Sequence, residues 1–244
     1  MNDFILIVGA TSDIAKSVAR EYAKVGYNLY LSGRDIERLE DFAKDLKIST
    51  QKEIKLIELD ILDFESHQKF YNSLEPKPVG VISAVGYLGD QKRALIDFQE
   101  SKKIIDTNYT GIVSLFNIVA NDFEAKKSGF IVGISSVAGD RGKKSNYIYG
   151  SAKAAFSTYL SGLRNRLSKS NIDVLTVKPG FVDTKMTKDM DLPKVLTATP
   201  KEVAKDILKA QQNSKDIIYT KWFWRYIMWI IKAIPEWKFK KMSL

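Results

Sequence analysis

At 244 residues, 45% apolar and 27% charged, the chain has the composition of one globular domain, which excludes a disordered or fibrous protein. It contains no cysteine, which excludes disulfides and thiolate metal sites, and a single histidine, His67, too few for a metal centre. A net charge of +9 favours anionic partners such as phosphorylated substrates or anionic lipid, and no nucleic-acid motif accompanies it.

The N-terminal MNDFILIVGA shows neither a basic region nor a cleavage site, so no secretion signal is expected and the expected location is cytoplasmic. FILIVG (4–9) predicts a buried strand, followed by a helix over 11–26. NLYLSG (28–33) predicts a second strand and DIERLEDFAKDL (35–46) a second helix. A third strand is expected over 54–60 and a helix near 64–73, with His67 as a neutral surface residue on it. PVGVISAVG (78–86) predicts the fourth strand, then a long helix over 97–124. The remaining pattern is strand 129–136, helix 147–168, strand 172–180, helix 201–211 and a seventh short strand 216–220.

Runs of Val, Ile and Leu that do not alternate with polar residues imply strands buried on both faces. Their alternation with helices implies a doubly wound parallel α/β sheet of about seven strands, helices on both sides. In such sheets ligands sit beyond the carboxyl ends of the strands, where every motif below falls. The expected organisation is one catalytic domain over 1–220, followed by an aromatic and basic segment over 221–244.

The first strand turns into its helix through VGATSDIA, where free backbone N–H groups can meet a pyrophosphate. Gly9 permits close approach, Thr11 and Ser12 can cap the helix or bond phosphate, and Ile14 lies in its first turn. Asp13 and Ala15 stand where a dinucleotide fingerprint has further glycines. A carboxylate there repels phosphate, and Asp13 reads as a first-turn residue that complements the helix dipole. The second strand ends in Ser32-Gly33-Arg34, with no carboxylate to take an adenosine ribose. An arginine there can pair with a 2′-phosphate, so NADPH is expected over NADH, although a surface arginine is the alternative. Asp60 and Ile61 would flank the adenine, and Ala84, Val85 and Gly86 let a cofactor cross the sheet edge.

Tyr149 and Lys153 are four apart in a predicted helix and share a face, whereas Tyr147 has Ser151 at that offset. A nearby ammonium lowers a phenol's pKa from about 10 and makes it a proton donor to a carbonyl oxygen. Ser136 lies 13 residues before Tyr149, with Ser135 as its neighbouring alternative, and Asn108 begins or interrupts a helix beside the sheet. PGFVDT, with Pro179, Gly180, Val182 and Thr184, follows the sixth strand.

This order and spacing of Gly turn, Asn108, Ser136, Tyr149-x3-Lys153 and PGFVDT resembles the short-chain dehydrogenase/reductase superfamily over about residues 4–220. The resemblance implies a Rossmann-type fold and a nicotinamide cofactor. It implies Ser136 as the group that polarises the carbonyl and Tyr149 as the acid/base. Lys153 would hold the ribose and tune Tyr149, Asn108 would hold a relay water, and Val182 and Thr184 would face the carboxamide. It also implies a homo-oligomer.

GATSDIA, AVGYLGD, NYTG, SSVAGDRGKKSNYIYGSAKA and KWFWRYIMWIIKAIP resemble more narrowly the decaprenylphosphoryl-2-keto-ribose reductases. That resemblance implies a lipid-linked keto sugar as substrate and an oxidase partner that supplies it. Arg141, Lys143 and Lys144 lie between Ser136 and Tyr149 and read either as a site for the substrate phosphate or as a solvated basic loop or oligomer contact. All four tryptophans, Trp222, Trp224, Trp229 and Trp237, fall in the C-terminal segment among lysines. That composition suits a membrane surface, and a segment packed on the domain or a partner is the competing reading. A reductase of lipophilic acyl or steroid-like ketones, with the tail lining its pocket, stands as the second enzyme reading. A non-catalytic nucleotide-binding partner of a membrane enzyme stands behind both.

Overall fold

The apolar runs form strands β1 (Phe4–Val8), β2 (Asn28–Gly33), β3 (Ile54–Glu58), β4 (Gly80–Ser83), β5 (Gly129–Ile134) and β6 (Ile172–Pro179), then β7 (Phe181–Val182), β8 (Thr197–Ala198) and β9 (Ile217–Thr220). This computed structural model describes residues 3–188 and 191–242. Seven strands build one parallel sheet in the order β3-β2-β1-β4-β5-β6-β9, and β7 and β8 form a separate short pair. The strand order reverses between β1 and β4, which opens a crevice at their carboxyl ends.

The helices are α1 (Asp13–Lys24), α2 (Glu40–Thr50), α3 (Ser66–Asn72), α4 (Gln91–Ala94), α5 (Phe98–Ile105), α6 (Gly111–Lys126), α7 (Tyr147–Leu167), α8 (Pro200–Gln212), α9 (Trp224–Ala233) and α10 (Glu236–Phe239). Val18 and Tyr22 of α1 and Val203 and Ile207 of α8 cover one face of the sheet against Ile7 and Val132. Leu115 and Phe116 of α6 and Phe156 and Leu160 of α7 cover the other against Leu6 and Ile131. Each such side chain contributes about 1.5–3 kcal/mol on full burial. A third cluster of Val137, Trp224 and Met228, with Phe181 and Tyr219 against it, ties the C-terminal segment to the carboxyl end of the sheet.

The expected Rossmann-type sheet is present, and the departures from the predicted elements matter for the site. The fourth strand stops at Ser83, the Ala84 N–H makes one last bond to the Val8 carbonyl oxygen at 2.9 Å, and Val85 and Gly86 lie beyond it at the crevice. The helix expected over 97–124 is interrupted by a π-turn at Asp106–Thr110 that contains Asn108. The second helix begins as a single 3-10 turn at Glu37–Leu39 and runs on to Thr50. Burial on both faces fails at the edge: β3 pairs with β2 on one side only and is partly covered.

His67 is not a surface residue. It is fully buried on α3, its Nδ1 is 2.9 Å from the Ser114 hydroxyl, and burial lowers its pKa. Helix α6 covers it, which no pattern within FESHQKF foretold.

Candidate active site

The turn after β1 is held by Ser32, whose carbonyl oxygen accepts from the N–H groups of Gly9 and Ala10, each at 2.9 Å. Gly9 has φ +78°, and a Cβ there would lie 2.9 Å from the backbone nitrogen of Val85. Only glycine permits this approach of the turn to Ala84–Gly86. Ser12 caps α1 by accepting from the Ala15 N–H at 3.1 Å. Asp13 does sit in the first turn, as expected from the dipole, and it does more. Its Oδ2 accepts from the N–H of Lys185 at 2.9 Å and so links the turn to the segment after β7. No local sequence pattern relates two residues so far apart in the chain.

Two adjoining cavities lie along the crevice. One, of about 200 Å³, is lined by Gly9, Gly33, Arg34, Asp60 and Ile61. Arg34 is exposed there and has no ion pair among the described residues. Asp60 accepts from the Leu62 N–H at 3.0 Å. The other, of about 340 Å³, shares Thr11, Ser12, Ala84, Val85 and Gly86 with the first. It continues past Ile14, Pro179, Gly180, Val182 and Thr184 to Ser136, Tyr149 and Lys153. A larger surface groove, about 690 Å³, lies between α8 and Lys221–Phe223 and holds none of the motif residues.

Ser136 is in extended conformation (φ −167°) at the end of β5 and caps a single 3-10 turn, Val137–Gly139, accepting from the Ala138 N–H at 3.1 Å. The structure separates it from Ser135, whose hydroxyl donates to the Lys153 carbonyl oxygen at 2.9 Å and lies 2.8 Å from the Ser157 hydroxyl. Asp140 anchors the loop that follows. It accepts from Lys178 Nζ at 2.5 Å and from the Tyr219 hydroxyl at 2.8 Å.

Tyr149 is partly buried in the cavity wall, one turn from Lys153 on α7. Lys153 is buried, and its Nζ donates to the carbonyl oxygens of Ile134 at 3.1 Å and Val85 at 3.3 Å. Burial pushes the Tyr149 phenol up to about 12, against the pull of the Ser136 hydroxyl beside it, and pushes Lys153 down to about 7. The lowering of Tyr149 by Lys153 expected from their spacing is therefore not the dominant effect of the protein's own groups. Desolvation is the leading cause of the shift at both residues, so Tyr149 keeps its proton at neutral pH.

Asn108 is fully buried behind this wall. Its Nδ2 donates to the carbonyl oxygens of Tyr87 (2.6 Å) and Ile104 (2.8 Å), and its Oδ1 accepts from the Tyr87 N–H (3.2 Å). It thereby holds the π-turn to the loop after β4. A Cβ on Gly86 would lie 3.7 Å from Asn108 Oδ1 and 3.9 Å from Lys153 Nζ. The missing side chain leaves open the floor between them.

The basic loop divides into three fates. Arg141 does not face the cavity. Its Nη1 donates to the carbonyl oxygens of Ile231 (2.6 Å), Lys232 (3.2 Å) and Ile234 (2.6 Å), its Nη2 donates to Glu236 (2.8 Å), and the guanidinium stacks on Phe239. Its expected part in binding a substrate phosphate is corrected accordingly: the end of α9 presents a cluster of carbonyl oxygens that a guanidinium satisfies. Lys143 lines the cavity, and burial lowers its pKa. Lys144 is exposed.

Several cavity residues have no individual role expected from the sequence: Leu88, Asn146, Phe181, Lys185, Met186 and Trp224. Phe181 lies within PGFVDT, Leu88 and Asn146 within stretches that carry the narrower resemblance, and Trp224 in the tail read as a pocket lining. Trp224 is buried, donates from Nε1 to the Leu196 carbonyl oxygen at 3.1 Å, and packs so closely on Gly180 that a Cβ there would lie 2.0 Å from its ring.

A doubly wound sheet with a glycine turn at its switch point and a Ser-Tyr-Lys cluster on the adjoining cavity defines a nucleotide-binding oxidoreductase class. The family model for short chain dehydrogenases matches residues 3–194. The chain belongs to the short-chain dehydrogenase family and is an NAD(P)-dependent oxidoreductase. It is 33% identical over 241 residues to an uncharacterized oxidoreductase of Mycobacterium tuberculosis, covering 98% of this chain and 96% of that one. Among solved structures, a short-chain dehydrogenase from Sphingobium yanoikuyae in complex with NADPH shares its fold with a TM-score of 0.84 at 23% identity, covering 96% and 97% of the two chains. An actinorhodin polyketide ketoreductase with NADPH gives 0.77 at 21% identity, covering 85% and 89%.

Proposed function

We propose that the chain is an NADPH-dependent ketoreductase of a lipophilic, anionic ketone, with a polyprenyl-phosphate-linked 2-keto sugar as the specific substrate. One observation carries the reading: Ser136, Tyr149 and Lys153 meet in one cavity whose further wall combines apolar Leu88, Phe181, Met186 and Trp224 with cationic Lys143 and Lys185. The narrower resemblance to the decaprenylphosphoryl-2-keto-ribose reductases supplies the sugar and the lipid. The same resemblance supports an oxidase partner that oxidises the corresponding sugar hydroxyl to the ketone.

The residues suit a nicotinamide dinucleotide: glycine at the tight turn, small residues at Ala84–Gly86, and the open floor at Gly86 between Asn108 and Lys153. Bound NADPH supplies the hydride. Gly9, Thr11, Ser12 and Ile14 would receive its pyrophosphate, Asp60 and Ile61 its adenine, and Pro179, Gly180, Val182 and Thr184 its nicotinamide end. Ser136 donates a hydrogen bond to the substrate carbonyl oxygen. Tyr149, held as a phenol by burial, gives that oxygen its proton as the carbon is reduced. The product is a secondary alcohol. Lys153 would hold the ribose and stabilise the phenolate that Tyr149 becomes, and Asn108 keeps the adjoining π-turn in place. A purely nucleotide-binding role has no use for this set of side chains.

Arg34 carries the preference for NADPH. It is exposed at the carboxyl end of β2 on the adenosine-side cavity, and the two solved relatives hold NADPH. Arg34→Ala is expected to weaken NADPH by roughly 10–100-fold, the range of a lost charge-assisted hydrogen bond, and NADH by less than about twofold. Fluorescence titration with both cofactors checks this, and equal losses would show that Arg34 does not read the 2′-phosphate.

The substrate is tested by NADPH oxidation with a polyprenyl-phosphate keto-pentose beside simple ketones of similar lipophilicity. Turnover confined to the sugar lipid supports the specific reading. The apolar wall formed by Trp224 and Phe181 favours the second reading, a reductase of plain lipophilic ketones, if those alone are turned over.

A further inference from the structure

We propose that the outward face of α9 and the turn after it dock on the anionic surface of a lipid bilayer. This goes beyond the reductase reading and does not rest on the substrate. The inner stripe of α9 is committed to the domain, with Trp224 and Met228 buried. The opposite side is not covered. Tyr226, Trp229 and Ile230 of α9 and Trp222 in the turn before it are 57–72% exposed; helical spacing puts the first three on one face, and the Trp222 ring lies edge-on to Tyr226. Trp237, beyond Pro235, is 67% exposed.

Isolated apolar residues on a surface are ordinary, but a contiguous aromatic face calls for a cover. The charges around it decide which. From 221 to 244 there are six basic residues and one acid, Glu236, which is turned to Arg141. Tryptophan and tyrosine beside lysine and arginine suit the headgroup boundary, where rings sit at the interface and cations meet anionic lipid. A second copy of the chain is the poorer cover. A twofold contact would bring Arg225 and Lys232 toward their own copies, and protein interfaces are depleted in lysine at their centres. Helix α9 is about 15 Å long at 1.5 Å per residue, and no helix among the described residues is long and apolar enough to cross a membrane, so the segment lies on the surface.

The face is presented rigidly. Arg141 closes the end of α9, and Trp224 locks its start against Gly180 and Leu196. Because Trp224 is also a wall of the cavity, the helix that meets the bilayer is part of the active site.

All four tryptophans lie in this segment, so tryptophan emission of the full-length protein reports on it directly. With vesicles of phosphatidylglycerol and phosphatidylcholine, the protein is expected to co-sediment and its emission to shift to the blue. Binding should weaken on raising salt and be much lower with phosphatidylcholine alone. The double variant Trp229→Ser/Ile230→Ser is expected to lower the partition coefficient by about tenfold or more. Its reduction of a small water-soluble ketone should be unchanged, which separates failed docking from failed catalysis. Absence of co-sedimentation, or equal binding by the double variant, overturns the proposal. So does a light-scattering dimer that loses its association in the same variant while neither protein binds vesicles: the face would then belong to a second copy.

Discussion

Tyr149→Phe is expected to lower turnover by about 10²–10⁴-fold, the usual contribution of a positioned general acid. The substitution removes the one hydroxyl that can deliver a proton to the oxygen bonded by Ser136, and it keeps the ring that fills the wall. Burial holds this phenol up to about 12, so the proton is in place throughout the neutral range. NADPH affinity should change by no more than a few-fold, because the turn at Gly9 and the floor at Gly86 are untouched. Initial rates of NADPH oxidation, beside a cofactor titration, separate the two effects. A variant that kept more than about a tenth of the turnover would remove Tyr149 from the chemistry.

The second large effect concerns Arg141, and its sign separates two roles. A ligand for substrate phosphate would, on mutation, raise KM and leave the melting temperature alone. The structure gives Arg141 three carbonyl oxygens near the end of α9, the Glu236 carboxylate and the face of Phe239, with only 13% of its side chain exposed. Arg141→Ala is therefore expected to destabilise the protein by about 1.5–3 kcal/mol, the range for hydrogen bonds to a charged group. The Glu236 contact adds little, because that carboxylate is largely exposed. For a domain of this size the loss corresponds to a fall in Tm of roughly 3–12 °C. Proteolysis should cut first after Thr220. A raised KM with an unchanged Tm would return Arg141 to the substrate.

Much of the site was legible because its residues sit at short, regular intervals on single elements. Tyr149 and Lys153 are one helical turn apart, and Gly9, Thr11 and Ser12 follow one strand end. The choice of Ser136 over Ser135 was legible only as a spacing. The structure adds that the Ser135 hydroxyl is bonded to the backbone of Lys153 and to Ser157. The electrostatic tuning was misread, because spacing reveals a charge partner but not burial, and burial is the larger cause for both Tyr149 and Lys153.

The sequence by itself determined the parallel sheet, the crevice at its switch point and the set of residues that gather there. Apolar runs, helix periods and short motifs are local patterns, and the topology of such sheets brings strand ends together. Only the tertiary structure decided the partners of groups distant in the chain. Asp13 holds Lys185, α6 covers His67, Trp224 closes the cavity over Gly180, and Arg141 reaches the carbonyl oxygens at the end of α9. Each is a contact between a polar or bulky side chain and whatever surface the fold brings within a few ångströms, and no local pattern encodes that distance.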